Sequence, residues 1–263
     1  MKKTALVTGG TSGIGLATAL SLHNDHGYDV WVLSRRDFQM DGLRHVRCDV
    51  SKENEVTKAV EQIMLEAGRL DLVVNCAGMG ISGALEFTDE EDARYLFNVN
   101  FFGTVNVNKA CVRYLRETKG RIINISSVAG VVPIPFQAFY SASKAAINSY
   151  SLALANELKP FGISVCAVMP GDTATGFTAA RKKSEEGDDL YSGRISRSVS
   201  RMEKDEQQGT DSTVSGKTIA SLATGTKFPA LYTIGFSYKL VNVLMKILPV
   251  SLSQKLIYML YAK

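Results

Sequence analysis

Short apolar runs alternate along the chain with longer segments in which apolar residues recur every three or four positions. Residues 4–8 (TALVT) run apolar into Gly9-Gly10, which predicts a buried strand entering a turn. Helical spacing over 14–22 precedes a second predicted strand at 28–33 (YDVWVL) and a third at 44–49. Ser51 then reads as a helix N-cap, with Glu53 and Glu55 in the first turn, and Gly68 closes that helix after Ala67. Residues 70–75 (LDLVVN) predict a fourth strand. Thr88 caps a helix that opens on Asp89-Glu90-Glu91 and continues toward Thr118. A fifth strand follows at 121–125, then a long helix at 138–158 that Pro160 and Gly162 stop. A sixth strand at 163–169 ends in Pro170-Gly171, and a last short one falls at 230–233.

Several of these strands are apolar on both faces, the signature of a parallel sheet covered by helices on both sides. The expected fold is α/β, a doubly wound parallel sheet in one domain spanning 1–263. Only residues 34–41 separate strands two and three, too few for a covering helix, so one crossover is trimmed. The polar stretch 180–211 breaks the alternation and reads as a mobile substrate lid. Residues 236–263 read as an amphipathic helical extension: Phe236, Leu240, Val243, Leu244 and Ile247 recur at helical spacing beside Lys239 and Lys246. Pro249 interrupts, and Leu252, Leu256, Ile257, Met259 and Leu260 resume.

With 263 residues, 45% of them apolar and 21% charged, the chain can build one large core and is not disordered. A net charge of +4 is too small for a dedicated nucleic-acid binder. The charge is uneven: from Ser212 to Lys263 there are six lysines and no acidic residue. Peripheral membrane contact, if made, belongs to that tail. Cys48, Cys76, Cys111 and Cys166 are far apart with no C-x-x-C pair, which argues against a disulfide framework and a zinc site. His23, His26 and His45 read as surface or loop residues, and no metal site is expected. No apolar run approaches the ~20 residues that span a bilayer. The apolar run after Met1-Lys2-Lys3 is broken by glycines without a cleavage site, so the default expectation is a reduced, cytoplasmic setting.

The turn Thr8-Gly9-Gly10-Thr11-Ser12-Gly13-Ile14-Gly15 joins the first strand to the first helix. Glycines there permit a tight turn and close approach of a pyrophosphate to backbone N–H groups, and the helix N-terminus adds partial positive charge. The second strand ends in Ser34-Arg35-Arg36, where an NAD-selective site would carry a carboxylate. Guanidinium groups suit a phosphate, so NADP(H) is the favoured cofactor, with Asp37 keeping NAD(H) open.

Tyr140 and Lys144 stand at i and i+4 and share a helix face. An ammonium one turn away lowers a phenol's pKa from its usual value near 10 and makes it a usable acid–base group. Ser127, at the end of the fifth strand, can hold the same substrate oxygen, and Asn100 lies in the helix that begins at Thr88.

Taken in order, the glycine turn, Asn75-Cys76-Ala77-Gly78, Asn100, Ser127, Tyr140, Lys144 and Pro170-Gly171 resemble the short-chain dehydrogenase/reductase family, and most closely its hydroxysteroid and retinol dehydrogenase branch. The resemblance implies a Rossmann fold and a catalytic tetrad of Asn100, Ser127, Tyr140 and Lys144. It implies that Asp49 and Val50 meet the adenine, that Asn75, Ala77 and Gly78 support the ribose side, and that Lys144 binds the nicotinamide ribose. Pro170, Gly171, Thr173 and Thr175 would hold the carboxamide. It also implies a homodimer or homotetramer. Asp172 is an extra polar residue in that last segment and has no role on this reading.

Val132, Pro133, Phe136 and Phe177 line an expected apolar substrate pocket. The activity expected is therefore NADP(H)-dependent reduction of a ketone or aldehyde on a hydrophobic molecule of steroid, retinoid or acyl-lipid type. The alternatives are reduction of small polar or carrier-bound ketones, and dinucleotide sensing without turnover.

Overall fold

The computed structural model describes residues 2–263. In chain order the strands are β1 (Thr4–Thr8), β2 (Asp29–Ser34), β3 (Leu43–Arg47), β4 (Leu72–Asn75), β5 (Ile81–Ser82), β6 (Arg121–Ile125), β7 (Ser164–Met169), β8 (Thr173–Ala174), β9 (Lys182–Lys183), β10 (Thr210–Asp211) and β11 (Leu231–Thr233). The helices are α1 (Gly13–Asn24), α2 (Glu53–Ala67), α3 (Glu90–Phe97), α4 (Gly103–Thr118), α5 (Ala138–Leu158), α6 (Phe177–Ala180), α7 (Arg194–Gln207), α8 (Ser212–Thr224), α9 (Phe236–Ile247) and α10 (Val250–Tyr261).

Seven strands form one parallel sheet in the order β11-β7-β6-β4-β1-β2-β3. Alternation along a strand sends neighbours to opposite layers. Leu6 of β1 joins a core with Val56 and Ile63 of α2, Cys111 and Leu115 of α4, and Leu158 of α5. Its neighbours Ala5 and Val7 join the opposite core with Leu22 of α1 and Ile219 of α8. This is the doubly wound arrangement expected from strands apolar on both faces.

No helix fills the β2–β3 connection; Phe38 and Met40 fold back onto the second core instead. Parallel pairing brings the C-terminal ends of β1, β4, β6 and β7 to one edge, with Thr8 opposite Asn75 and Asn75 opposite Asn124.

Three local expectations change. Helix α2 starts at Glu53 with Lys52 before it, while Ser51 spends its hydroxyl on Asp49 Oδ1 at 2.7 Å. The run from Thr88 to Thr118 is α3 and α4 joined by a wider π-turn at Asn98–Phe102. The stretch 180–211 contains α7, whose Ile195, Val199 and Met202 form a third apolar cluster with Ala84 and with Phe136 packed on it. Among the described residues no helix is long and apolar enough to cross a membrane.

Candidate active site

The glycine turn closes on the β4 end through contacts that exclude side chains. Gly9 has φ +63°, and a Cβ on it would lie 2.8 Å from the Ala77 Cα; on Gly15 one would lie 2.3 Å from the Gly9 carbonyl oxygen. Thr8 anchors the other side, its hydroxyl accepting from the Cys76 and Ala77 N–H groups at 3.1 Å each. Gly10 packs on Val32, and Ile14 packs on the second core. Ser12, exposed beside half-buried Thr11, precedes α1 without capping it, so the first-turn N–H groups have no side-chain partner. Gly13, at φ +51°, stands next to Thr175 across the groove. This tight backbone turn, closed by glycines whose Cβ at 9 or 15 would strike neighbouring backbone, fits a dinucleotide pyrophosphate.

Tyr140 and Lys144 project from one face of α5, with the Lys144 Nζ 5.7 Å from the Tyr140 ring centroid. Lys144 is buried and donates to the Ile125 carbonyl at the end of β6 at 2.9 Å. Burial pulls its ammonium down to about 8, so it sits near the edge of neutrality. Burial pushes the Tyr140 phenol up to about 12, against the downward pull of hydrogen bonding with Ser127 and of the Arg181 charge. The expectation of a lowered phenol is thus reversed here: Tyr140 holds its proton throughout the neutral range, as a proton donor requires. Cys76, next to Lys144, is also pushed to about 12 by burial and supplies no thiolate.

Asn100 sits in the π-turn, which sets its side chain toward the β4 loop. Its Oδ1 accepts from Met79 N–H at 2.8 Å, and its Nδ2 donates to the Met79 carbonyl at 3.0 Å and to Ser143 Oγ at 3.1 Å. Gly78 lets this loop approach both groups; a Cβ there would be 3.3 Å from Asn100 Oδ1 and 3.7 Å from Lys144 Nζ. Ser127 caps a short turn by accepting from Ala129 N–H at 3.1 Å.

The remaining cofactor candidates divide. Arg35 and Arg36 are exposed at the end of β2, with Arg35 donating to the Tyr95 hydroxyl at 2.6 Å. Ser34 Oγ donates to the Arg36 carbonyl and lies 2.8 Å from His45 Nε2, so His45 is tied into the sheet end. Asp49 accepts from the Ser51 N–H and hydroxyl. Two side chains point away from the groove. Val50 is buried against Gly103 in the first core, and its carbonyl accepts from Asn106. Asn75 is buried and donates to Asn108 and Asn124 at 2.8 and 2.9 Å, so it ties β4 to β6 and α4 beneath the site. An alternating strand sends the side chain after an outward one inward, which the motif alone does not reveal.

On the substrate side, Phe177 lies 5.7 Å from Tyr140 between ring centroids. Val132 is half-buried and Pro133 is exposed. Phe136, at φ +61°, instead turns into the third cluster and meets Tyr191 edge-on. On the nicotinamide side, the Pro170 carbonyl accepts from Val128 N–H at 3.0 Å, Thr173 Oγ1 donates to the Gly171 carbonyl at 3.0 Å, and Thr175 Oγ1 accepts from Phe177 N–H at 3.1 Å.

Sequence reasoning missed two features. Arg181 is buried, ion-paired with Glu206 and stacked over Phe177, while its Nε and Nη1 lack partners. Asp172 accepts from the Tyr238 hydroxyl at 2.6 Å, and a Cβ on Gly171 would strike that ring. Asp172 therefore tethers α9 to the end of β7. Both contacts join residues at least 25 apart in sequence, beyond any local pattern.

The model of the family described as short chain dehydrogenase matches residues 3–186. A 3-ketodihydrosphingosine reductase from Bacteroides thetaiotaomicron is 47% identical over 209 residues, covering 78% of this chain and 77% of that protein. An NADPH-dependent 1-acyldihydroxyacetone phosphate reductase from Schizosaccharomyces pombe is 36% identical, covering 66% of this chain and 61% of its own. Among solved structures, a short-chain dehydrogenase from Streptomyces avermitilis superposes with a TM-score of 0.83 at 28% identity, covering 97% of each chain.

Proposed function

The chain belongs to the short-chain dehydrogenase family, and on that premise we propose that this oxidoreductase is an NADP(H)-dependent reductase of a ketone on a long-chain lipid. The observation that carries the reading is the convergence of Tyr140, Lys144, Ser127 and the Asn100-clamped loop at the sheet edge that also holds the glycine cradle. The two relatives, a 3-ketodihydrosphingosine reductase and a 1-acyldihydroxyacetone phosphate reductase, support the substrate class. Arg35 and Arg36, exposed at the end of β2, support a phosphate on the adenosine ribose, and the yeast relative is NADPH-dependent.

When bound, the dinucleotide supplies the hydride. The chain's own residues do the rest. Tyr140, protonated at neutral pH, donates its proton to the carbonyl oxygen as that oxygen gains charge, and the Ser127 hydroxyl hydrogen-bonds the same oxygen. Lys144 would hold the cofactor ribose, and it places a positive charge beside the phenol. Asn100 positions the Gly78-Met79 backbone along the groove. Phe177 and Val132 give the carbonyl an apolar wall. Assembly as a homodimer or homotetramer belongs to the same proposal.

The test is a substrate panel run in parallel with NADPH and NADH. Long-chain ketones should be reduced with NADPH well ahead of NADH. Turnover confined to short polar ketones, or equal use of NADH, would overturn the substrate or the cofactor assignment respectively.

A further inference from the structure

The last two helices are inside out. On α9, Phe236, Leu240, Val243, Leu244 and Ile247 form one stripe by helical geometry, and all five are exposed, Phe236 at 85% and Ile247 at 74%. The residue α9 buries is polar: Asn242 donates to Thr233 Oγ1 at 2.7 Å. On α10, Leu252, Leu256, Met259 and Leu260 again form one exposed stripe, while Ser253 and Ile257 face inward. Twelve of the twenty exposed large hydrophobic side chains among the described residues lie between Phe236 and Leu260. A soluble surface does not concentrate apolar groups in this way without something to cover them.

Charge selects the occupant. Lys239 and Lys246 border the α9 stripe on one side, Lys255 borders the α10 stripe, and residues 212–263 contain no acidic group. A second copy docking through this face would bring a second set of lysines and, from residues 212–263, no carboxylate side chain to pair with either set. An anionic bilayer surface satisfies both the apolar stripes and the lysines, whose stems lie along the acyl boundary while their ammoniums reach headgroups. Each helix has 12 residues, enough to lie in the interface and too few to cross it.

The location matters. Tyr238 of α9 donates to Asp172 and lies over Gly171, and Tyr261 of α10 receives Arg201 of α7 over its ring. The exposed stripes are therefore anchored to the segment after β7 and to α7, whose Glu206 pairs with the Arg181 that stacks on Phe177 beside Tyr140. We propose that α9 and α10 dock on bilayers bearing anionic headgroups and hold the catalytic groove beside the membrane, where a lipid ketone resides. Docking stands on its own; delivery of substrate rests on the reductase reading above.

Flotation with vesicles of phosphatidylcholine plus phosphatidylglycerol, against phosphatidylcholine alone, tests this on the full chain. The wild type should float with the anionic vesicles. Lys246→Gln/Lys255→Gln/Lys263→Gln should weaken binding on the order of a hundredfold. Phe236→Gln/Ile247→Gln should weaken it about tenfold or more. Both variants should keep wild-type turnover of a long-chain ketone dispersed in detergent micelles, where no bilayer is present; if the wild type also lacks that turnover, the reductase reading fails while the flotation result stands. Equal binding to the neutral vesicles, or binding unmoved by the lysine changes, would overturn the proposal. So would absence of flotation with a doubled mass in light scattering that Ile247→Gln abolishes, since the face would then be a self-interface.

Discussion

Around Tyr140 the protein buries an ammonium, a guanidinium and a set of amides; along α9 and α10 it exposes leucine, isoleucine and phenylalanine. Each region reverses the ordinary partition of polar and apolar groups, in opposite directions. In the catalytic groove the buried charged and amide side chains find partners within the chain, although Arg181 Nε and Nη1 stay unpaired. Lys144 finds the Ile125 carbonyl, Arg181 finds Glu206, and Asn75 finds Asn108 and Asn124. On the tail helices nothing among the described residues covers the exposed stripes. The first region spends stability to prepare chemistry on a small molecule; the second leaves apolar area for a larger partner.

Lys144→Met breaks the comparison from the groove side and carries the largest expected effect. Reductase turnover should fall by roughly 10²–10⁴, the range of a lost acid–base partner. The same change should raise folding stability by roughly 1–3 kcal/mol near neutrality, because a buried charge is removed at the loss of one hydrogen bond. The sign follows from the depressed folded pKa: from about 8 up to the ordinary 10.5 the unfolded chain holds a proton that the folded chain has shed. The variant's advantage in urea midpoint should therefore be full below about 8 and shrink toward 10.5. A lysine that stabilises the fold would give the opposite difference.

Glu206→Gln comes next. It leaves the Arg181 charge buried and uncompensated, a change expected to cost about 3–5 kcal/mol in denaturant unfolding. A loss near zero would mean that Arg181 reaches water or another acid. Tyr238→Phe is the smallest. It removes the donor to Asp172 and should cost about 1–3 kcal/mol or less, with faster proteolysis of residues after 235 while the sheet keeps its protection. Uniform loss of protection would show the tail and the sheet to be one cooperative unit.

Much of the fold is written in local pattern. The strands at Thr4–Thr8 and Arg121–Ile125 and the helix at Ala138–Leu158 fall where the apolar runs and their glycine and proline boundaries place them. The trimmed β2–β3 connection was legible from its length alone. The π-turn that aims Asn100 was not, because its residues continue a helical spacing on both sides. The inward turn of Asn75 and the packing of Phe136 depend on strand parity and on a left-handed backbone, respectively. Stretch 180–211 reads as polar because α7 places its apolar residues sparsely, yet Ile195, Val199 and Met202 line up on one face and are buried.

The central claim is that the half-buried Tyr140 phenol gives its proton to the substrate oxygen in a step separable from cofactor binding. Tyr140→Phe tests it most directly, with NADPH binding followed by fluorescence and NADPH oxidation followed with a long-chain ketone. The account predicts unchanged binding and oxidation lowered by roughly 10²–10⁴. Oxidation retained within about tenfold of wild type, with binding intact, would contradict it.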